Sequence, residues 1–188
     1  MFDTHVKRTL FLLVVLFLGA TAPRAQQSPR IPDVNCLDQN GKKLHFNTDL
    51  VKGKVVVINF VYTTCTYLCT RIGESTVRLQ TALGDRVGRD VYLISVSTDP
   101  VTDTPEKLKA WATRLKAKDG WTLVTGEKAE IDRLLTVLTG DPSGIKTHSP
   151  LLLIGNEAKN VWAENYAFES PAKLIEQIDR VSGAAPTP

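Results

Sequence analysis

Methionine is missing after Met1, and cysteine and histidine occur three times each in 188 residues. Beyond residue 25 the Cys and His inventory is Cys36, His45, Cys65, Cys69 and His148. A structural zinc site takes four such ligands, so the inventory is too thin and too scattered for one. Clustered positive charge is lacking as well. Past residue 25, 20 basic residues stand against 19 acidic ones, and Arg114, Lys116 and Lys118 read as a solvated helix face. Nucleic acid is therefore excluded as a partner class. Internal repeats are absent. No apolar run is long enough for a membrane span: Thr9–Ala20 as a helix would cover about 18 Å, against a bilayer core of about 30 Å.

What is present at the N-terminus is a targeting pattern. Lys7-Arg8 precede the apolar run, and Ala20-Thr21-Ala22 or Pro23-Arg24-Ala25 supplies a small residue for cleavage. Residues 1–25 are expected to be a signal peptide, or an N-terminal anchor if uncut. The folded part is then exported, periplasmic or membrane-anchored on the extracytoplasmic side, with the membrane touched only through this segment. Export permits disulfides. The 43% hydrophobic content supports one substantial core over residues 26–182, entered through a linker at 26–32, with 183–188 as a flexible tail.

Hydrophobic patterning divides that domain into alternating elements. Strands are expected at 42–47, 54–62, 90–98, 121–124, 151–154 and 160–166. Helices are expected at 66–83, from Thr104, at 127–138, and from Ser170 to about Val181. Thr104-Pro105-Glu106 is a cap, a first-turn proline and a first-turn acid. The first helix has an imperfect apolar face (Leu68, Ile72, Val77, Leu79, Leu83) and Gly73 at its middle, which weakens it. Trp111 belongs to a core stripe with Leu108, Ala112 and Leu115. Strands alternating with helices, closed by a hairpin and a last helix, predict a thioredoxin-like α/β fold. Its sheet is central and mostly parallel with an antiparallel C-terminal hairpin, and helices cover both faces.

Cys65 and Cys69 lie just past the strand Val55–Tyr62, at the carboxyl end where an open α/β sheet keeps its reactive groups. Cysteines four apart on a helix share one face. The first lies near the helix N-terminus, where the dipole and free N–H groups favour thiolate. Cys36 is left over and reads as a small buried hydrophobe at a strand edge, with a resolving or accessory thiol as its other reading. His148, in Lys146-Thr147-His148-Ser149-Pro150, precedes a strand. In a thioredoxin-like sheet this loop faces the helix end bearing the cysteines. Two thiolates and one imidazole make a soft three-coordinate site suited to Cu(I) and, with a further ligand, Cu(II). His45 sits inside a strand and reads as a surface side chain.

The run Gly53–Cys65, Cys69 four later, the segments Ser97-Thr98-Asp99-Pro100 and Asp103-Thr104-Pro105-Glu106, and His148 before an apolar strand together resemble the SCO/SenC family of thioredoxin-like copper proteins. Thr66 and Thr70 stand where that family has proline. The resemblance implies that Cys65, Cys69 and His148 are copper ligands. It also implies a role in assembling the dinuclear copper centre of cytochrome c oxidase, by copper delivery or by reduction of the target's cysteines. The expected partner is the copper-bearing subunit of that oxidase, or another copper or thiol client.

A copper carrier needs no turnover. If the protein is an enzyme, the expected activity is thiol–disulfide oxidoreduction by the redox pair Cys65 and Cys69, which is the competing function. A peroxidase of the peroxiredoxin type would want proline and threonine where Asn59 and Tyr62 stand. Asp99 and Asp103 read as turn and capping residues, or as negative charge tuning the thiols. Tyr62 is expected beside the site and Tyr67 exposed. Pro150 occupies the place of the cis-proline that flanks thiols in thioredoxin-like sites.

Overall fold

The computed structural model describes residues 30–183; the leader and the last five residues of the tail lie outside them. A seven-stranded sheet runs in the order β2-β1-β5-β4-β3-β6-β7. Its strands are β1 (Asn35–Asp38), β2 (Lys43–His45), β3 (Val55–Val61), β4 (Val91–Ser97), β5 (Trp121–Thr125), β6 (Leu151–Asn156) and β7 (Val161–Tyr166). The helices are α1 (Leu68–Leu83), α2 (Pro105–Leu115), α3 (Lys128–Thr139) and α4 (Pro171–Ser182). The parallel part is the centre: β3 pairs with β4, and β4 with β5. The expected hairpin β6–β7 joins antiparallel to β3. A second hairpin, β1–β2, joins antiparallel to β5 on the other side.

Strand alternation sorts the core into two layers. Val57 and Val61 of β3, with Leu93, Leu123, Leu152 and Ile154, face α1, α2 and α4. Val56, Ile58 and Phe60, with Ile94, Val96, Val124 and Leu153, face α3 and the turn Phe46–Val51. Helices thus cover both faces. Trp111 and Trp121 meet edge-to-face inside the first layer at 6.2 Å. Thr104 and Ser170 cap α2 and α4, each accepting from the backbone N–H three residues on, with proline at the first position.

Helix α1 starts two residues later than expected and buries a better stripe than its apolar residues suggest. Cys69, Ile72, Gly73, Thr76, Leu79, Gln80 and Leu83 are all buried. Its polar members have partners. The Asn59 amide donates to Thr76 Oγ1 at 2.9 Å, and the Gln80 amide donates to Lys118 O at 2.9 Å. Trp121 Nε1 donates to Ser95 Oγ, which donates to Asn59 Oδ1 at 2.6 Å, so one buried chain of hydrogen bonds ties β5, β4, β3 and α1. Gly73 is a contact residue: a Cβ there would lie 2.4 Å from Leu115 Cδ1 and 2.7 Å from the Trp111 ring. The lost helix propensity is exchanged for close packing of α1 on α2.

Candidate functional site

Strand β3 ends at Val61, and the next four residues form a turn at the carboxyl end of the sheet, the Cys65 N–H donating to Tyr62 O at 3.2 Å. Asp103 fastens this turn. Its carboxylate, in a residue only 1% exposed, accepts from the Thr63 N–H at 3.0 Å, the Thr63 hydroxyl at 2.5 Å and the Ser97 hydroxyl at 2.6 Å. Ser97 closes β4 and accepts in turn from the Asp99 N–H at 3.1 Å. A buried carboxylate needs such a full set of donors. Asp103 therefore joins the ends of the two central strands and holds the cysteine turn between them. The sequence marks Asp103 as a capping residue or a tuning charge, and it carries Thr63 and Ser97 only as members of the segments Gly53–Cys65 and Ser97–Pro100, with no sign that they bond Asp103.

Both cysteines of the pair are free thiols, Cys65 half-buried and Cys69 buried. The Cys69 N–H donates to Cys65 Sγ at 3.2 Å. Burial works against ionising Cys65. The Cys69 N–H, the Cys69 thiol, the Tyr62 hydroxyl and the Tyr67 N–H outweigh it, and hold the Cys65 thiol below the ordinary range. Burial pushes Cys69 the other way, up to about 12, reinforced by Cys65 and Asp103 despite an opposing backbone hydrogen bond. The hydrogen bond to Cys65 also raises Tyr62. One thiol is prepared as a nucleophile and its neighbour is kept protonated.

His148 lies at the same end of the sheet. It ends a tight turn, Lys146–His148, anchored by Asp141, which accepts from the Lys146 N–H at 2.8 Å, and by Thr147, whose hydroxyl donates to Gly144 O at 2.6 Å. The exposed imidazole meets the Tyr62 ring edge-to-face at 5.9 Å. Tyr62 thus stands between the imidazole and the Cys65 thiol. Among the described residues no three His, Cys, Asp or Glu side chains are already gathered for a metal ion.

Tyr67 is exposed, as expected. His45 is exposed at the end of β2, and Cys36 is buried in β1 with its thiol raised to about 12 by burial and by Asp49, Asp33 and Asp38. Neither is on a strand next to β3. All described peptide bonds are trans, Pro150 included. The chain passes from an extended Ser149 directly into β6, and Pro150 O accepts from the Ala167 N–H at 2.8 Å, so no reversal is needed there.

Fold and thiol pair together define a thioredoxin-like α/β protein with a Cys-x-x-x-Cys turn at the carboxyl end of its central strands. The chain belongs to the SCO1/SenC family, whose model matches residues 24–180. A SCO1 protein homolog of Bacillus subtilis (strain 168) is 30% identical over 125 residues, 64% of this chain and 63% of that protein. The chain spans between 51% and 63% of the length of the curated relatives it matches. Among solved structures, copper-bound ScoI of Bradyrhizobium japonicum superposes with a TM-score of 0.64 at 21% identity, covering 79% of this chain and 96% of that one. A Sco-family cytochrome c oxidase assembly protein with an identified disulfide switch gives 0.65 at 24%, covering 85% and 98%. Among the described residues no helix is long and apolar enough to cross a membrane.

Proposed function

We propose that this protein binds copper as cargo through Cys65, Cys69 and His148, in the service of cytochrome c oxidase assembly. The observation that carries the reading is the edge-to-face contact of the His148 ring with Tyr62, whose hydroxyl bonds the Cys65 thiol. It supports an imidazole held at the same end of the sheet as the two sulfurs, with Tyr62 as the side chain they share. The donor set fits the ion: two thiols and one imidazole are soft ligands that suit Cu(I). The client is the copper-bearing subunit of the oxidase, and the N-terminal segment exports the domain to meet it. The copper-bound relative and the SCO1 homolog support the same reading.

The opposed acidities of Cys65 and Cys69 favour a second use of the same site, reduction of a client disulfide. The two uses separate in one experiment. The reduced protein is titrated with Cu(I) against a competing chelator, as wild type and as His148→Ala. One-to-one binding weakened about tenfold or more by the substitution is expected, the usual cost of losing a ligand or its orienting partner. Equal binding in both would remove His148 from the site. Efficient reduction of a small disulfide, indifferent to His148, would leave only the thiol chemistry.

A further inference from the structure

Four of the five exposed large hydrophobics of the described chain gather at one end of the sheet. Tyr67 (69% exposed), Val101 (74%), Ile145 (74%) and Tyr166 (49%) all lie at the carboxyl end of β3 and β4; only Val161 lies at the other end. Surfaces that concentrate apolar side chains in this way mark interaction sites. One row within the group is built. The Arg71 guanidinium lies 5.7 Å from the Tyr67 ring and 5.1 Å from the Phe168 ring, and its Nη1 donates to the Tyr67 hydroxyl at 3.2 Å. Tyr166 meets Phe168 edge-to-face at 5.2 Å. The row begins two residues from Cys65, where the Tyr67 N–H reaches the Cys65 thiol.

We propose that the row Tyr67–Arg71–Phe168–Tyr166 docks an extended segment of a partner protein that carries a carboxylate beside its cysteines. This rests on the copper and thiol reading above and names the segment that site would receive. One observation selects an acidic segment. Arg71 is exposed, and no carboxylate pairs with it among the described residues. The aromatic faces pre-order the guanidinium and lower the cost of fixing it on a carboxylate. The exposed rings supply flat apolar area for the backbone and apolar side chains around it.

The test uses three synthetic peptides, each closed by one disulfide, differing only in Glu, Gln or Lys beside the first cysteine. The Cys65 thiolate attacks one peptide sulfur, breaking the peptide S–S bond and releasing one peptide thiol. Cys69 gives up its proton and closes a bond to Cys65, releasing the second thiol, so two electrons pass to the peptide. With reduced wild-type protein the Glu peptide should react about threefold faster than the Gln peptide, as one partly exposed charge pair allows. The Lys peptide should be slowest, and salt should flatten the differences. In Arg71→Gln the preference should vanish, and in Arg71→Glu it should reverse in favour of Lys. The same order in all three proteins, or no order in wild type, overturns the proposal. If Cu(I) uptake and reaction with a small uncharged disulfide persist in that case, docking alone is wrong. If they fail too, the underlying site reading falls with it.

Discussion

Cys65 and Cys69 carry the same side chain four residues apart, and their surroundings drive their acidities in opposite directions. Cys65 takes a thiol, a phenol and two backbone N–H groups, which favour its charged form although burial opposes it. Cys69 sits deeper, in the core layer of Val61, Ile72 and Trp111, and burial favours its neutral form up to about 12. Tyr62 is the side chain that links this pair to His148, so its hydroxyl is the place to probe. In Tyr62→Phe the thiolate of Cys65 loses a donor and its acidity falls. Because thiolate exists above the thiol's pKa, the alkylation–pH profile should move to higher pH. Modification by iodoacetamide at pH 7 should slow by roughly threefold, the scale of one hydrogen bond to a charged group weakened by partial exposure. An unchanged profile would show that the phenol does not act on Cys65.

At the scale of elements, the site is the meeting of three chain segments: the turn after β3, the loop after β4 and the turn before β6. Asp103 holds the first two together through Thr63 and Ser97. Asp103→Ala leaves three donors without their acceptor in a buried place. It should cost about 3 kcal/mol in urea unfolding, whereas Asp103→Asn, which keeps the shape and one acceptor, should cost about 1 kcal/mol. A loss below about 0.5 kcal/mol for the alanine variant would mean that the brace does not hold the turn. The loop after β4 was legible as a motif, because proline and aspartate punctuate it. Its task was not, since Asp103 bonds a threonine 40 positions away. The burial of α1 was obscured for a related reason. Thr76 and Gln80 count as polar in any hydrophobic pattern, yet both are inside because Asn59, Lys118 and Asp119 meet their polar atoms. Gly73 read as a weakness, and only the nearness of Trp111 and Leu115 turns it into a contact.

Across the whole molecule, the central strands could be read directly, because the apolar runs Val55–Val61 and Val91–Ser97 permit little else. The N-terminal hairpin's place beside β5 was not readable from strands of four and three residues, whose partners are chosen by tertiary packing and not by their own pattern. The cysteine pair announced itself through spacing and position. His148 was singled out through family resemblance and sheet topology together, and the fold sets it against Tyr62 at the end of the sheet that carries the cysteines. Arg71 and Phe168, distant in sequence and ordinary in type, gave no signal before the fold joined them.

Whether His148 completes a copper site with Cys65 and Cys69 is decided by X-ray absorption at the copper edge of the Cu(I)-loaded protein. Wild type should show two sulfur scatterers and one imidazole, with the imidazole signature gone in His148→Ala and both sulfurs retained. The same imidazole signature in wild type and variant would remove His148 from the copper.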